Sequence, residues 1–197
     1  FAYVRSTSDL AVPLLMMALV GCLAFEFQVV LPVLADHTFA AGAGAYGFLT
    51  AAMGAGSVVG GLAVATWGRT GTRPLILTSL AFGIAMAVAA AAPNLTTLIV
   101  LMVIVGALSV TFTSTTNSSL QLAAAPMMRG RVMALWSVAF LGSTAIGGPI
   151  AGWVCEQWGG RAGLLLGAVA CLVAAAMGVV ALRRRATTPA EAAGVTG

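Results

Sequence analysis

The stretch from Pro126 to Glu156 reads PMMRGRVMALWSVAFLGSTAIGGPIAGWVCE. Two arginines, Arg129 and Arg131, are followed by an apolar run that carries no charge before Glu156. About 20 apolar residues, each adding about 1.5 Å of helical rise, cross a hydrocarbon layer of about 30 Å. The stretch is therefore predicted to be a membrane-spanning helix, and the arginines at its start predict that this end faces the cytoplasm.

The far end of this stretch contains Gly148 and Pro149. Pro149 has no N–H to donate to the carbonyl of Ala145, and its ring crowds that carbonyl, so the pair predicts a helix bend. Gly148 and Gly152, four residues apart, leave a smooth face for close contact with another helix. We therefore expect this helix to bend and to lie inside a helix bundle.

The composition extends this interpretation to the whole chain of 197 residues, which is 60% hydrophobic and only 7% charged, with a mean hydropathy of +1.05. Soluble domains are about 25% charged, so the chain is predicted to be an all-α integral membrane protein in contact with the lipid bilayer. The three cysteines lack C-x-x-C spacing and are interpreted as apolar packing residues. No metal and no cofactor is predicted, and the scattered arginines give no reason to expect a nucleic-acid partner.

Six spans are predicted, and an even number places both termini on one side of the membrane. With the N-terminus inside, eight of the nine arginines are cytoplasmic and only Arg161 is outside. Residues 1–185 are predicted to form a six-helix transmembrane unit, and residues 186–197 a disordered cytoplasmic tail. The approximate spans are Leu10–Leu34, Tyr46–Thr66, Leu75–Ala92, a fourth from Thr97, the Pro126–Glu156 stretch, and Ala162–Leu182.

Glu26 is the one acid well inside a predicted span, in the segment AFEFQVVLP. A charged carboxylate is costly in apolar surroundings, so such a residue normally faces a cavity and serves a transport pathway. Two interpretations stay open: a proton carrier or substrate ligand, or a hydrogen-bonded packing residue. Gln28 either contacts a substrate or compensates the carbonyl that Pro32 cannot bond.

The fourth span becomes polar toward its end, where hydroxyl side chains are frequent between Ser109 and Asn117. Serine and threonine can donate to their own helix carbonyls at i−4, so hydroxyls such as Thr113 either line a polar pathway or bond back to the helix. Asn117 has no such option, and we expect it at the bundle interior or the cytoplasmic mouth. Thr113 and Asn117 therefore join Glu26 and Gln28 as candidates for a substrate or proton pathway.

The predicted spans lack the sets of catalytic residues that proteases within membranes require. A serine protease within the membrane needs a nucleophilic serine and a histidine in another span, but the one histidine, His37, lies in a predicted loop. Aspartyl proteases of membranes need two aspartates within spans, and the predicted spans contain none. The chain is accordingly predicted not to be an enzyme.

Three segments together resemble the major facilitator superfamily, and more narrowly its enterobactin-exporter-like branch of drug and siderophore efflux proteins. Gln121 to Leu135, with its P-x-x-R-G-R-V core, resembles the segment that joins helices ten and eleven. Phe25 to Ala35 resembles helix seven. Gly60 to Pro74 resembles the second copy of the family's loop motif, G-x-L-a-D-R-x-G-R-R, although Ala65 stands at the aspartate position.

This resemblance implies that the chain is the C-terminal half of a twelve-helix transporter, built as two inverted three-helix repeats in the plasma (inner) membrane. It implies export of a small-molecule substrate by alternating access, driven by the proton gradient, with the N-terminal six-helix half as partner. The arginines near the cytoplasmic loops are expected either to hold a gate or only to anchor the topology: Arg69, Arg73, Arg129 and Arg131. Gly148-Pro149 would be the counterpart, in the second half of the transporter, of the glycine-proline bend that the family has in helix five.

Two other interpretations remain open at this point. The chain could be a half-size transporter that works as a homodimer. It could also be a non-transporting membrane protein, either a truncated remnant or an assembly partner.

Overall fold

The computed structural model describes residues 8–39, 42–68 and 70–193 of the chain. Six helical stretches in it are long and apolar enough to cross a membrane, and no strand occurs in these ranges. The prediction of an all-α, six-helix membrane fold is confirmed. The spans, numbered 1 to 6, are Asp9–Asp36, Gly44–Thr66, Thr72–Ala90, Leu95–Ala123, Pro126–Trp158 and Gly160–Arg184.

Spans 1 and 5 are not continuous α-helices. Span 1 consists of the α-helices Ser8–Ala24 and Phe27–Val33 with a π-helical segment, Leu34–Thr38, after them. Span 5 begins with the 3₁₀ turn Pro126–Met128 and continues as an α-helix, a π-helical segment and a second α-helix: Arg129–Ser137, Val138–Gly142 and Thr144–Trp158. The other four spans belong to unbroken α-helices, which are Gly42–Trp67, Thr72–Ala90, Leu95–Ala123 and Gly160–Ala193.

The contacts between spans follow a two-fold pattern. Span 2 packs on span 4, and span 5 packs correspondingly on span 1; span 1 also contacts span 6 as span 4 contacts span 3. Exchanging the first three spans with the last three therefore maps these contacts onto one another. Because each repeat has an odd number of spans, consecutive crossings give the two repeats opposite orientations. The packing thus has the arrangement expected of two inverted three-helix repeats.

Glycines set the distance between spans 2 and 4. A Cβ placed on Gly56 would lie 1.8 Å from the carbonyl oxygen of Val103, and one on Gly60 would lie 2.2 Å from that of Ala107. Reciprocally, a Cβ on Gly106 of span 4 would lie 2.0 Å from the carbonyl oxygen of Met53. No side chain larger than hydrogen fits there, so the two backbones touch directly, as small residues allow in membranes.

Arg161, the arginine predicted to lie outside, joins three loops at one end of the bundle. Its guanidinium donates a hydrogen bond of 2.8 Å to the carbonyl of Ala92, at the turn between spans 3 and 4. The same group lies over the ring of Phe39, 5.8 Å from its centroid, at the end of span 1. Arg161 itself is in the first turn of span 6, so one side chain connects the ends of spans 1, 3 and 6.

The last helix continues to Ala193, whereas the sequence analysis predicts a disordered tail from residue 186. The division of the chain into a membrane unit and a tail stays a prediction. Span 5, expected inside a bundle, is the least buried of the six within the chain itself, with 17% of its apolar window buried. Its exposed apolar side chains leave one face of the helix free for lipid or for another bundle: Val138, Leu141, Ile146, Ile150 and Trp153.

Candidate functional site

The interruptions of spans 1 and 5 lie against each other. A Cβ on Gly21, one turn before the break in span 1, would lie 3.0 Å from Ser143 Oγ and 3.2 Å from the carbonyl oxygen of Ala139. Ala139 belongs to the π-helical segment of span 5, and Ser143 directly follows that segment. Further along, a Cβ on Gly147 would lie 1.6 Å from the carbonyl oxygen of Cys22. The two interrupted helices therefore cross in direct backbone contact, with glycines on both sides.

Glu26 lies at this crossing, in the two-residue break between the helices of span 1. Its carbonyl accepts hydrogen bonds of 3.0 Å from the N–H groups of Val29 and Val30, so Glu26 begins the second helix. The side chain is only 4% exposed. Its Oε1 atom is buried and has no hydrogen-bond partner among the described residues.

Gly147 and Gly148 make room for this carboxyl group. A Cβ on Gly147 would lie 2.8 Å from Glu26 Oε1, and one on Gly148 would lie 3.6 Å from Oε2. Glu26 thus fits against a side-chain-free surface of span 5. A buried acceptor without a partner costs about 1–3 kcal/mol, so a proton or another group that satisfied Oε1 would be favourable here.

An aromatic cluster extends from the break toward the N-terminal half of span 5. Phe25, the neighbour of Glu26, contacts Phe27, Phe82 and Phe140, with ring centroids 5.3 Å from Phe140. Phe140 in turn stacks on Trp136 with centroids 5.4 Å apart and planes at 25°. The cluster ties the interruptions of spans 1 and 5 together through offset and edge-to-face packing.

A small polar pocket lies beside Trp136, between spans 4 and 5. It has a volume of about 230 Å³ and is lined by Thr113, Ser114, Asn117, Ser118 and Trp136. The Trp136 Nε1 atom is buried and finds no hydrogen-bond partner within the described part of the chain. Leaving such an N–H unpaired costs about 1–3 kcal/mol. Trp136 is therefore, with Glu26, one of two residues in this region whose buried polar atoms are unsatisfied.

The four residues predicted for a pathway separate into three places. Glu26 is buried at the crossing, and Gln28 is exposed on the outside of the same span. Thr113 and Asn117 share the pocket beside Trp136. Thr113 donates to the carbonyl of Ser109 at 2.8 Å, which is the back-bonding alternative, yet its side chain also lines the pocket. Their roles in a pathway stay predictions.

Trp136 and Ser118 were not singled out by the sequence, whereas Ser114 belongs to the hydroxyl run between Ser109 and Asn117 that was expected to line a polar pathway or to bond back to the helix. Trp136 lies in the RGRV-containing stretch, where one more apolar residue in an apolar span gives no signal of its own. Ser114 and Ser118 are one helical turn apart, as are Thr113 and Asn117, so the i, i+4 spacing of polar residues was the available sign of a polar face.

Arg73, Arg129 and Arg131, three of the arginines predicted to be cytoplasmic, have no acidic partner in the described ranges. Arg73 is exposed in the first turn of span 3, and Arg129 and Arg131 are exposed in the first turn of span 5's first helix. Arg131 donates a hydrogen bond to the sulfur of Met128 at 3.9 Å. All three lie at helix N-termini, where the helix dipole does not favour a cation. Interaction with helix dipoles therefore gives no support to a gating role for these arginines. Arg69 lies outside the described residues, and the gating role stays a prediction.

The predicted bend at Gly148 and Pro149 concerns a segment that is helical in the structure. Pro149 lies inside the α-helix Thr144–Trp158, and the irregular backbone of span 5 lies earlier, at Val138–Gly142. π-Helical segments are a recognised cause of helix bending and are frequent at functional sites. Whether Pro149 adds a bend of its own stays a prediction.

A family model for the Major Facilitator Superfamily matches residues 14–197, which include span 1 from residue 14 onward, spans 2 to 6 and the crossing described above. The chain belongs to the major facilitator superfamily. No curated protein and no solved structure matches the chain. Members of this superfamily are multi-pass membrane transporters, so the six spans, the inverted repeats and the interrupted helices of this chain are parts of a transporter.

Proposed function

We propose that this superfamily member takes part in proton-coupled efflux of a small amphipathic molecule, and that it does so as the C-terminal half of a twelve-helix transporter. Glu26 is the proton carrier in this proposal. One observation supports it above the others: a carboxyl group with an unpartnered oxygen lies where two interrupted helices cross. Discontinuous helices are where transporters commonly place their ion and substrate sites.

The burial of Glu26 favours a proton over a substrate as its ligand. At 4% exposure, with Gly147 in backbone contact beside it, the carboxyl group offers a large molecule no access in this conformation. A proton needs no such space. Movement of span 5 relative to span 1 would expose the carboxyl group, allow the proton to leave, and couple this step to opening of the transporter. Alternating access requires such a coupled rearrangement.

The N-terminal half is the proposed partner because the six spans leave apolar surface exposed around the bundle. Apolar side chains on spans 2 and 5 are exposed, including Val58 and Leu62 on span 2 and Leu141 on span 5. A second six-helix bundle and lipid would share these surfaces. With both termini cytoplasmic, as the arginine distribution indicates, the arginines at the start of spans 3 and 5 would face the cytoplasm in the plasma (inner) membrane.

The test is proton-driven efflux of ethidium from vesicles that contain the chain together with an N-terminal six-helix half. Glu26→Gln keeps the shape of the side chain and removes its titration, so we expect it to abolish proton-driven efflux while membrane insertion and folding persist. Glu156→Gln is the matched control, since it makes the same change at an exposed acid of span 5. Undiminished, pH-dependent efflux by Glu26→Gln would reduce Glu26 to a packing residue. Efflux by the chain alone would favour the homodimer instead.

A further inference from the structure

We propose that a furrow between spans 2 and 3 binds one anionic phospholipid of the cytoplasmic leaflet, with its phosphate at Arg73 and an acyl chain along span 3. The leaflet follows from the arginine distribution, which places the start of span 3 at the cytoplasmic side. The inference goes beyond the proposed function, because it requires neither transport nor the proton role of Glu26.

Three spans form the furrow. Spans 2 and 3 both pack on span 4 but scarcely on each other, so a depression of about 580 Å³ remains between them, with span 4 as its floor. Val64 of span 2 and Leu77 of span 3 lie on its walls, and Thr111 and Thr115 of span 4 lie on its floor. Among the described residues that line it, Arg73 is the one charged residue and none is acidic. The furrow is therefore an apolar surface with a single cation.

The start of span 3 favours an anion. The N–H groups of Thr72 and Arg73 lie in the first turn of the helix, where they have no acceptor among the described residues, and no side chain caps this end. Unpaired N–H groups and the helix dipole favour negative charge at such a position. The Arg73 guanidinium adds a full positive charge, and the segment WGRTGTRP that joins the two spans contains no acid. A phosphate would therefore satisfy the N–H groups and the guanidinium together.

Thr115 is a second, independent indication of a ligand. Its side chain lines the furrow, is only 4% exposed and makes no hydrogen bond within the described part of the chain, whereas Thr111 on the same floor donates to the carbonyl of Ala107 at 2.7 Å. The N–H of Gly71 donates to Ser119 at 3.0 Å, which places the start of span 3 one helical turn along span 4 from Thr115. In a glycerophospholipid only the glycerol separates the ester carbonyls from the phosphate. A carbonyl can therefore accept from Thr115 while the phosphate lies at the start of span 3.

One face of span 3 continues the furrow as an apolar track. Leu77, Leu80, Ile84 and Val88 follow Arg73 at spacings of three or four residues, and all four are exposed. From Leu77 to Val88 the helix rises about 16 Å, close to half of the hydrocarbon layer of about 30 Å. A cation followed by an apolar track of one leaflet's depth matches the phosphate and acyl chain of one lipid. The ammonium group of a zwitterionic lipid would find no carboxylate in the lining, which favours a headgroup with net negative charge.

Photo-cross-linking of the full chain in lipid nanodiscs tests the proposal, without any proton gradient. The probe is phosphatidylglycerol with a diazirine in one acyl chain, present at low abundance in phosphatidylcholine, and labelled peptides are mapped by mass spectrometry. We expect the label at Leu77, Leu80 and their neighbours in the furrow. Unlabelled phosphatidylglycerol should displace the probe about 5-fold more effectively than phosphatidylethanolamine, which is the effect of one arginine near the membrane surface.

Two variants with matched controls test the two polar contacts. Arg73→Gln removes the charge, so it should weaken phosphatidylglycerol binding about 5-fold and abolish the advantage over phosphatidylethanolamine. Arg131→Gln is its control, because it removes an exposed arginine at the start of span 5, outside the furrow. Thr115→Val keeps the shape and removes the hydroxyl, and should weaken binding about 2- to 10-fold, the loss of one hydrogen bond. Thr111→Val is its control, since that hydroxyl already donates to the carbonyl of Ala107.

Each of the following results would overturn the lipid site. Label spread evenly around the bundle would indicate ordinary surrounding lipid, and displacement of the probe by glycerol 3-phosphate would indicate a soluble phosphate compound. Loss of the label on addition of an N-terminal six-helix half would assign the furrow to that half. Equal displacement by the two unlabelled lipids, or equal binding by the wild type and the Arg73→Gln variant, would exclude recognition of charge. Glu26→Gln should leave the label unchanged, so failure of this site and failure of the proton role are distinguishable.

Discussion

Replacing Gly147 by alanine directly tests the contact between spans 1 and 5. The new Cβ would lie 1.6 Å from the carbonyl oxygen of Cys22, and ordinary contact begins at 3.4 Å. The two backbones would therefore have to separate by about 1.8 Å, the difference between those two distances. Because the obstructing atoms belong to the backbone of a neighbouring helix, no side-chain rotation can relieve the overlap.

The expected cost follows from two opposing terms. Overpacking typically costs about 1–3 kcal/mol, and a clash with backbone belongs at the upper end. Alanine recovers up to about 1 kcal/mol over glycine within a helix. We therefore expect Gly147→Ala to lower the free energy of unfolding by about 2 kcal/mol. It should also impair any function that depends on Glu26, whose Oε1 lies 2.8 Å from the same Cβ position.

Gly148→Ala is the matched control for this change. Its Cβ would lie 3.6 Å from Glu26 Oε2, an ordinary contact, and nothing nearer obstructs it. We expect its stability to equal or slightly exceed that of the wild type, since only the helix-propensity gain remains. The assay is denaturant unfolding of both variants in the same mixed micelles. Equal stability of the Gly147 and Gly148 variants would refute the direct contact between spans 1 and 5.

Two further predictions concern the other helix pair and the topology. Gly56→Ala should destabilise the contact of span 2 with span 4 by about 2 kcal/mol, whereas Gly54→Ala, with nothing within 4 Å of its Cβ, should not. Denaturant unfolding of the two variants under identical conditions measures this difference in stability. Equal stability of the two variants would contradict the glycine contact between spans 2 and 4. Cysteines introduced at Arg73 and Thr96, both exposed, should react with an impermeant thiol reagent from opposite sides of the membrane. Reaction of the cysteine at position 73 from the outer side would disprove the arrangement with cytoplasmic termini, and reaction of both from one side would disprove the crossing of span 3.

The sequence by itself determined the membrane character, the number of spans and the family. These properties are local or additive. A long run of apolar side chains places the segment in the bilayer, and its backbone N–H and C=O groups must then form hydrogen bonds within the segment, as a helix does. The P-x-x-R-G-R-V core and the Gly60–Pro74 segment carried the resemblance, which the family match confirms at the level of the superfamily. Glu26 also stood out from the sequence alone, because an acid inside an apolar span is unusual wherever the span packs.

The tertiary structure decided where the helices break and which spans touch. Proline chemistry predicted irregular backbone at Pro149, but that residue lies inside an α-helix, and irregular segments of spans 1 and 5 are at Phe25-Glu26, Leu34–Thr38 and Val138–Gly142. Leu34–Thr38 directly follows the helix that contains Pro32, whereas Phe25-Glu26 and Val138–Gly142 contain no proline. Those two lie where spans 1 and 5 approach, so packing between helices, rather than a local hydrogen-bond defect, accompanies their irregularity.

The pairing of the spans was likewise decided by the tertiary structure, because six apolar helices of similar composition give no periodic signal in the sequence that distinguishes one neighbour from another. The glycines predicted close contact between helices but not which helix is the partner. The tertiary structure pairs Gly56 with Val103 and Gly147 with Cys22. The pocket beside Trp136 joins residues of two spans that are separated by a loop and a 3₁₀ turn. Its existence depends on how those spans are rotated about their axes, which is set by the whole bundle and not by either segment.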